Sequence, residues 1–288
     1  MIDFLVMPFV DFEFMRRALA GCLALALGAT PVGVFLMLRR MSLMGDAMSH
    51  AILPGAALGY LAFGLSLGAM TVGGILAGLA VVLLAGLVTR SSVLKEDASL
   101  ATFYLLSLAA GVMIVSLRGN NLDLLHVLFG SVLALDDASL LLIAAIASVT
   151  VFGLALLLRP LALECFDPAF LRGVSRLSPV AHYGFLALVV FNLVAGFHAL
   201  GTLMAVGIMI LPAAAARLWS RRLGPLLATA SAVAFASAVS GLLLSFHADV
   251  PAGPAIVLMC GLAYLASLLL APDGMLATRL PARSHLES

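Results

Sequence analysis

Long apolar stretches alternate with short polar breaks along almost the whole chain. Nine stretches of near-spanning length stand between the charges, at about residues 18–38, 43–66, 69–89, 98–117, 138–158, 180–199, 202–218, 224–246 and 252–271. A helix needs about 20 mostly apolar residues to cross the hydrocarbon core. Within lipid every backbone polar group must be satisfied internally, so runs of this length read as α-helices. The pattern predicts an all-α, polytopic transmembrane helical bundle of eight or nine spanning helices. Gly196, Phe197, His198 and Gly201 mark either a turn between two of them or a break within one. The run from Leu122 to Leu135 is too short to cross and reads as a re-entrant segment.

Composition closes the other classes. Of 288 residues, 64% are hydrophobic and 10% charged, and the formal net charge is +1. Soluble domains run at about 45–50% apolar and about 25% charged. The small net charge also excludes nucleic acid as a partner, since binding it by counterion release needs many basic contacts. Cys22, Cys165 and Cys260 lie far apart without C-x-x-C spacing and read as small buried hydrophobes. The stretch Met1 to Phe14 carries Asp3, Asp11 and Glu13 and no basic region, unlike a cleavable signal peptide. Residues 1–17 read as a short N-terminal interfacial segment, and residues 18–272 as a single transmembrane domain.

Charge sets the orientation. With the N-terminus outside and nine crossings, only Arg16, Arg17 and Arg118 of the fifteen basic residues fall outside. The rest, including Arg279 and Arg283 in a C-terminal tail over 273–288, fall in the cytoplasm, as the positive-inside rule requires. The longest cytoplasmic connection is 159–178, containing ECFDPAFLRGVSRLSP. There Asp167 can cap a short helix with Pro168 in its first turn. Ala169, Phe170 and Leu171 beside Arg172 and Arg176 then suit either a helix lying on the membrane or one that docks a cytoplasmic partner.

Candidate chemistry concentrates in the second stretch, SLMGDAMSHAILPGAALGYLAFG. Asp46 and His50 are four residues apart, hence on one helix face. A charged Asp at mid-bilayer costs about 2.5–3.5 kcal/mol, which partners or water must offset. A carboxylate and an imidazole one turn apart can hold a divalent transition metal, or can glue two helices by a hydrogen bond. Pro54 removes the hydrogen bond to the carbonyl of His50, so a bend is expected there with that carbonyl free. Gly55 and Gly59 allow a neighbouring helix or subunit to approach closely. Pro212 similarly releases the carbonyl of Ile208. His126, His198 and His247 near the outer ends, and His182 near an inner end, read as interfacial residues; His247 with Asp249 could form an outer vestibule for cations. There is no G-x-x-x-x-G-K-[ST], no H-E-x-x-H and no second membrane carboxylate to make Asp46 a protease residue, so an enzyme is not expected.

The segment LRRMSLMGDAMSHAILPGAALGY strongly resembles the hallmark of permease subunits of ABC importers for zinc, manganese and iron. KEDASLATFYL, LDLLHVLFGSVLAL, FDPAFLRGVS, GTLMAVGIMILPAAAARL and DVPAGPAIVL follow in the order of that family, over nearly all of the chain. One departure is Ala101, where the family usually has glycine. The resemblance implies a permease of a bacterial cytoplasmic (inner) membrane importer, with no stably bound cofactor and a transported divalent metal, zinc, manganese or iron. Its implied partners are a separate cytoplasmic ABC ATPase, an external metal-binding protein and a second permease chain, identical or not, in a dimer. It also implies that Asp46 and His50 line the path and hold the ion, and makes Asp167 to Val174 a candidate coupling helix. The alternative from another class is a proton-coupled secondary metal transporter with Asp46 and His50 as relay.

Overall fold

The computed structural model describes residues 2–64, 66–93, 95–117, 133, 135–167, 170, 173 and 177–275. Among them are eleven helices and no strand: α1 Ile2–Asp11, α2 Glu13–Leu38, α3 Ser42–Ala51, α4 Leu53–Phe63, α5 Leu67–Ser91, α6 Glu96–Leu117, α7 Asp137–Phe166, α8 Ser178–Leu200, α9 Thr202–Arg217, α10 Leu223–Ala248 and α11 Ala252–Leu270. Every one of the nine apolar stretches coincides with a helix, the second being divided between α3 and α4. Seven of the helices are long and apolar enough to cross a membrane. The 16 residues of α9 rise only about 24 Å at 1.5 Å each. Gly201, with φ 81°, separates α8 from α9 and so marks a turn. The proposed re-entrant run lies outside the described residues apart from Leu133 and Leu135, and with it His126. Arg118, Arg172, Arg176, the tail from 276 onward and the side chains of Arg90 and His198 lie outside them as well.

Polar ties at the helix ends fix the directions. Arg17 at the start of α2 pairs with Glu13 (2.8 Å) and with Asp137 at the start of α7 (3.1 Å). Arg39, just past the end of α2, pairs with Glu164 near the end of α7 at 3.2 Å, so these two helices run parallel. The hydroxyl of Ser99 in α6 donates to the carbonyl of Ala85 in α5 (2.9 Å). His182 in α8 reaches Glu96 at the start of α6 (3.0 Å). Trp219 Nε1 donates to Ser267 of α11 (3.0 Å), and Arg221 binds Asp273 through two bonds of 2.8 Å. Those two hydrogen bonds hold the Asp273 carboxyl below the usual carboxylate range. Val34 of α2 packs with Ala213 and Ala216 of α9 and with Leu226 and Ala230 of α10, which brings this layer to the same end of the bundle. That end therefore gathers the ends of α2, α5, α7, α9 and α11 and the starts of α3, α6, α8 and α10. Directions alternate from stretch to stretch, as nine crossings require.

The core forms around α2, where Met15, Cys22, Ala26, Val32, Phe35 and Leu36 are fully buried. Cys260 is buried too, and all three cysteines are free. Close approach comes from glycine. A Cβ on Gly33 would overlap the carbonyl oxygen of Met209, so α2 and α9 touch backbone to backbone. Beside this crossing, Thr30 Oγ1 donates to the carbonyl of Ile208 at 3.0 Å, the acceptor that Pro212 releases. Buried Asn192 donates to Thr150 Oγ1 (2.7 Å), joining α8 to α7. The small residues of α4 meet α5 rather than another subunit: Gly55 lies on Gly73, and Gly59 on Ala69. A side chain at Gly73 would strike the carbonyl of Gly55, whereas Gly68 has open space around its Cα. We expect Gly73→Ala to lower stability by about 1–3 kcal/mol, read as a reduced unfolding temperature in detergent, and Gly68→Ala to leave it unchanged or raised.

Candidate functional site

Helices α3 and α4 are one apolar stretch interrupted at Ile52 because Pro54 cannot donate to the carbonyl of His50. That carbonyl is not left free as expected. The N–H of Ile52 turns back onto it. The neighbouring carbonyl of Ala51 accepts from Ser107 Oγ of α6 at 2.8 Å. One turn further along α6, Gly111 lies against Pro54, and a Cβ there would sit 3.1 Å from Pro54 Cγ. Ser107 and Gly111 thus share a face that grips the break.

Upstream of the break, α3 turns two different faces to its surroundings. Met44, Gly45, Met48 and Ser49 are buried, with Gly45 so close to α9 that a Cβ would lie 2.9 Å from Met209 Cε. The opposite face carries Leu43 and Asp46, both exposed, and half-buried His50. The structure thus puts Asp46 and His50 on one face, as their spacing predicts. The Nδ1 atom of His50 is buried without a hydrogen-bond partner. Ser49 Oγ donates to the backbone carbonyl of Asp46 (2.7 Å), not to its carboxylate. Among the described residues no group of three or more His, Cys, Asp or Glu side chains converges as a metal cage.

A second polar centre lies where α2 ends. Arg39 and Glu164 are 8% and 7% exposed and 3.2 Å apart. Arg39 Nη2 lies 2.6 Å from His182 Nδ1, and the other ring nitrogen, Nε2, faces Glu96 Oε1 at 3.0 Å. The guanidinium also lies 5.2 Å from the centre of the Phe185 ring. Arg39, Glu96, Glu164 and His182 line a cavity of about 1050 Å³ that also touches Arg40, Lys95, Asp97, Cys165 and Phe166. Beyond it, Asp167 caps the connection that follows α7: its Oδ1 accepts the N–H of Phe170 at 2.9 Å.

The ABC 3 transport family model matches residues 11–271. The chain belongs to this family. It is 31% identical over 272 residues to the manganese import system permease protein ScaB of Streptococcus parasanguinis, covering 93% of this chain and 96% of that one. It is 30% identical over 262 residues to the chelated iron transport system membrane protein YfeD of Yersinia pestis, covering 91% and 86%. The solved structure of PsaBC from Streptococcus pneumoniae in complex with Fab matches with a TM-score of 0.82 at 29% identity, covering 95% of this chain and 97% of that one. The ABC 3 chain is accordingly a multi-pass permease subunit of the cytoplasmic membrane and not an enzyme, with ATP hydrolysis on a separate subunit.

The sequence pointed to Asp46 and His50 but not to the residues that hold their helix in place. Ser107 and Gly111 sit four apart in an apolar run, and only their spacing, set against the Pro54 break, could have singled them out. His182 was read as an interfacial residue; its ring lies between Arg39, just past α2, and Glu96 of α6 in this ABC 3 permease. Ser107→Ala should leave the Ala51 carbonyl without its interhelical donor and cost about 1–3 kcal/mol. Thermal unfolding in detergent should show the loss, and Ser107→Thr should recover much of it.

Proposed function

We propose that this permease works in an ATP-driven importer of a divalent transition metal, manganese first and ferrous iron second. The observation that carries the reading is the exposed face of α3. A carboxylate at Asp46 with His50 one turn away is too costly to turn toward lipid. That face belongs against a second permease chain, identical or not, across a water-accessible path. Carboxylate oxygen suits manganese, and imidazole suits iron, zinc and other borderline metals. The names of the relatives favour manganese and iron over zinc. The unpaired Nδ1 of His50 is a ligand atom in need of a partner. Few ligands on a broken helix make a weak site, which suits an ion that must be released.

In this reading the single permease domain spans 18–272, flanked by an interfacial segment and a tail. The N-terminus lies outside, and the charged end of the bundle faces the cytoplasm. An external metal-binding protein delivers the ion. The cytoplasmic ATPase docks on the connection between α7 and α8, where Asp167 starts a capped turn and Phe166 and Phe170 are exposed. Metal uptake in vesicles should require the ATPase subunit and should persist when the proton gradient is collapsed. Asp46→Ala and His50→Ala should each reduce uptake at least about tenfold while the complex still assembles. Uptake at the wild-type level in both variants would remove Asp46 and His50 from the path. Uptake without ATPase that a protonophore abolishes would replace the reading with secondary transport.

A further inference from the structure

We propose that Arg39, Glu164 and His182 are positioning residues that transmit movement of the connection between α7 and α8 to the face of α3 carrying Asp46 and His50. The inference rests on the ATP-driven reading above and names the part of the chain that links its two ends.

Glu164 precedes Asp167 by three residues on α7, and His182 follows Leu177 by five on α8, so together they hold both stems of the connection. Both contact the same guanidinium, at 3.2 and 2.6 Å. Arg39 in turn lies seven residues before Asp46. A shift of either stem therefore acts directly on Arg39.

Beyond Arg39 the backbone has no slack. The N–H of Arg40 donates to the carbonyl of Met37 (3.0 Å), and that of Met41 to Leu36 (2.8 Å). This is a Schellman closure of α2, a position where glycine usually supplies the left-handed residue. Here Arg40 occupies it at φ 59°, strained for a residue with a side chain. The N–H of Met44 then donates to Met41 (2.9 Å) and α3 begins at once. Arg39 and α3 are therefore joined by a rigid corner, and a turn of one turns the other.

The charge cluster is incompletely paired. Arg39 Nη1 and Glu164 Oε2 are buried with no hydrogen-bond partner. They border a cavity of about 1050 Å³ that leaves room for the side chains to re-pair. Buried ion pairs lose much of their Coulomb gain to desolvation. A cluster with unfilled donors and acceptors can thus exchange partners at little net cost, which a switching element needs and a static brace does not.

The test uses the complete transporter, with its ATPase and second permease chain, in proteoliposomes, and reads manganese taken up per ATP hydrolysed. Glu164→Gln should keep ATP hydrolysis near the wild-type level and lower uptake per ATP about tenfold, within the usual range of coupling between two sites. Glu164→Asp, which restores the charge, should recover most of the ratio. Arg39→Lys, which keeps charge but loses the planar fork, should also uncouple. An unchanged ratio in Glu164→Gln and Arg39→Lys overturns the proposal. So does a fall of uptake and hydrolysis in step, or failure of Glu164→Gln, Arg39→Lys and His182→Gln all to assemble, since the cluster would then be a folding element only. A wild-type complex that takes up neither manganese nor iron with its ATPase sinks the importer reading itself, an outcome seen before any variant is compared.

Discussion

Hydrocarbon offers no hydrogen bonds, and this constraint shapes the main irregular features of the permease. A backbone carbonyl released by a proline or a break is stabilised by a donor from another part of the protein. Pro212 releases Ile208, and Thr30 of α2 supplies the hydroxyl. The break at Ile52 exposes the carbonyl of Ala51, and Ser107 of α6 supplies another. The buried amide of Asn192 finds Thr150. Each of these donors sits on a different helix from its acceptor, so the irregularities are also the ties of the bundle. The interrupted helix that carries Asp46 and His50 exists because α6 provides both a donor and, at Gly111, the space to come close.

Much of this was legible in the sequence because bilayer thickness imposes a length and apolarity on each crossing. All nine stretches correspond to helices, and the Pro54 interruption follows from the missing N–H. The Asp46–His50 face needed only the helical period. What could not be read is what depends on neighbours in space. Whether the carbonyl of His50 stays open turns on the local path of Ile52, and that residue closes back on it. Gly55 and Gly59 announce a close contact without saying with whom; the partner is the next helix of the same chain. The ionic centre was illegible for the same reason. Arg39, Glu96, Glu164 and His182 come from four separate helix ends, and each alone looks like an ordinary boundary residue.

The chemistry of that centre explains its residue types. One guanidinium contacts a carboxylate and an imidazole while its face lies toward Phe185. A planar fork with several donors can do this; a lysine ammonium, a compact point charge, cannot. Burial of Arg39 and Glu164 would be expensive for either charge alone. Their mutual presence, with the His182 imidazole between Glu96 and Glu164, makes the arrangement tolerable without making it rigid.

The backbone contact between Gly33 and Met209 has a further consequence. Where two helices meet through side chains, they can slide by changing rotamers. Where they meet at a bare glycine beside the Thr30–Ile208 bond, there is nothing to rearrange. The crossing of α2 and α9 is therefore a fulcrum: the helices can pivot about it but not translate past it. Arg39 and the start of α3 lie on one arm of that lever, and Arg17, tied to Asp137 of α7, on the other. Any rocking of α2 about this point displaces its two ends in opposite directions, so the Arg39 corner and the tie of Arg17 to Asp137 cannot shift the same way.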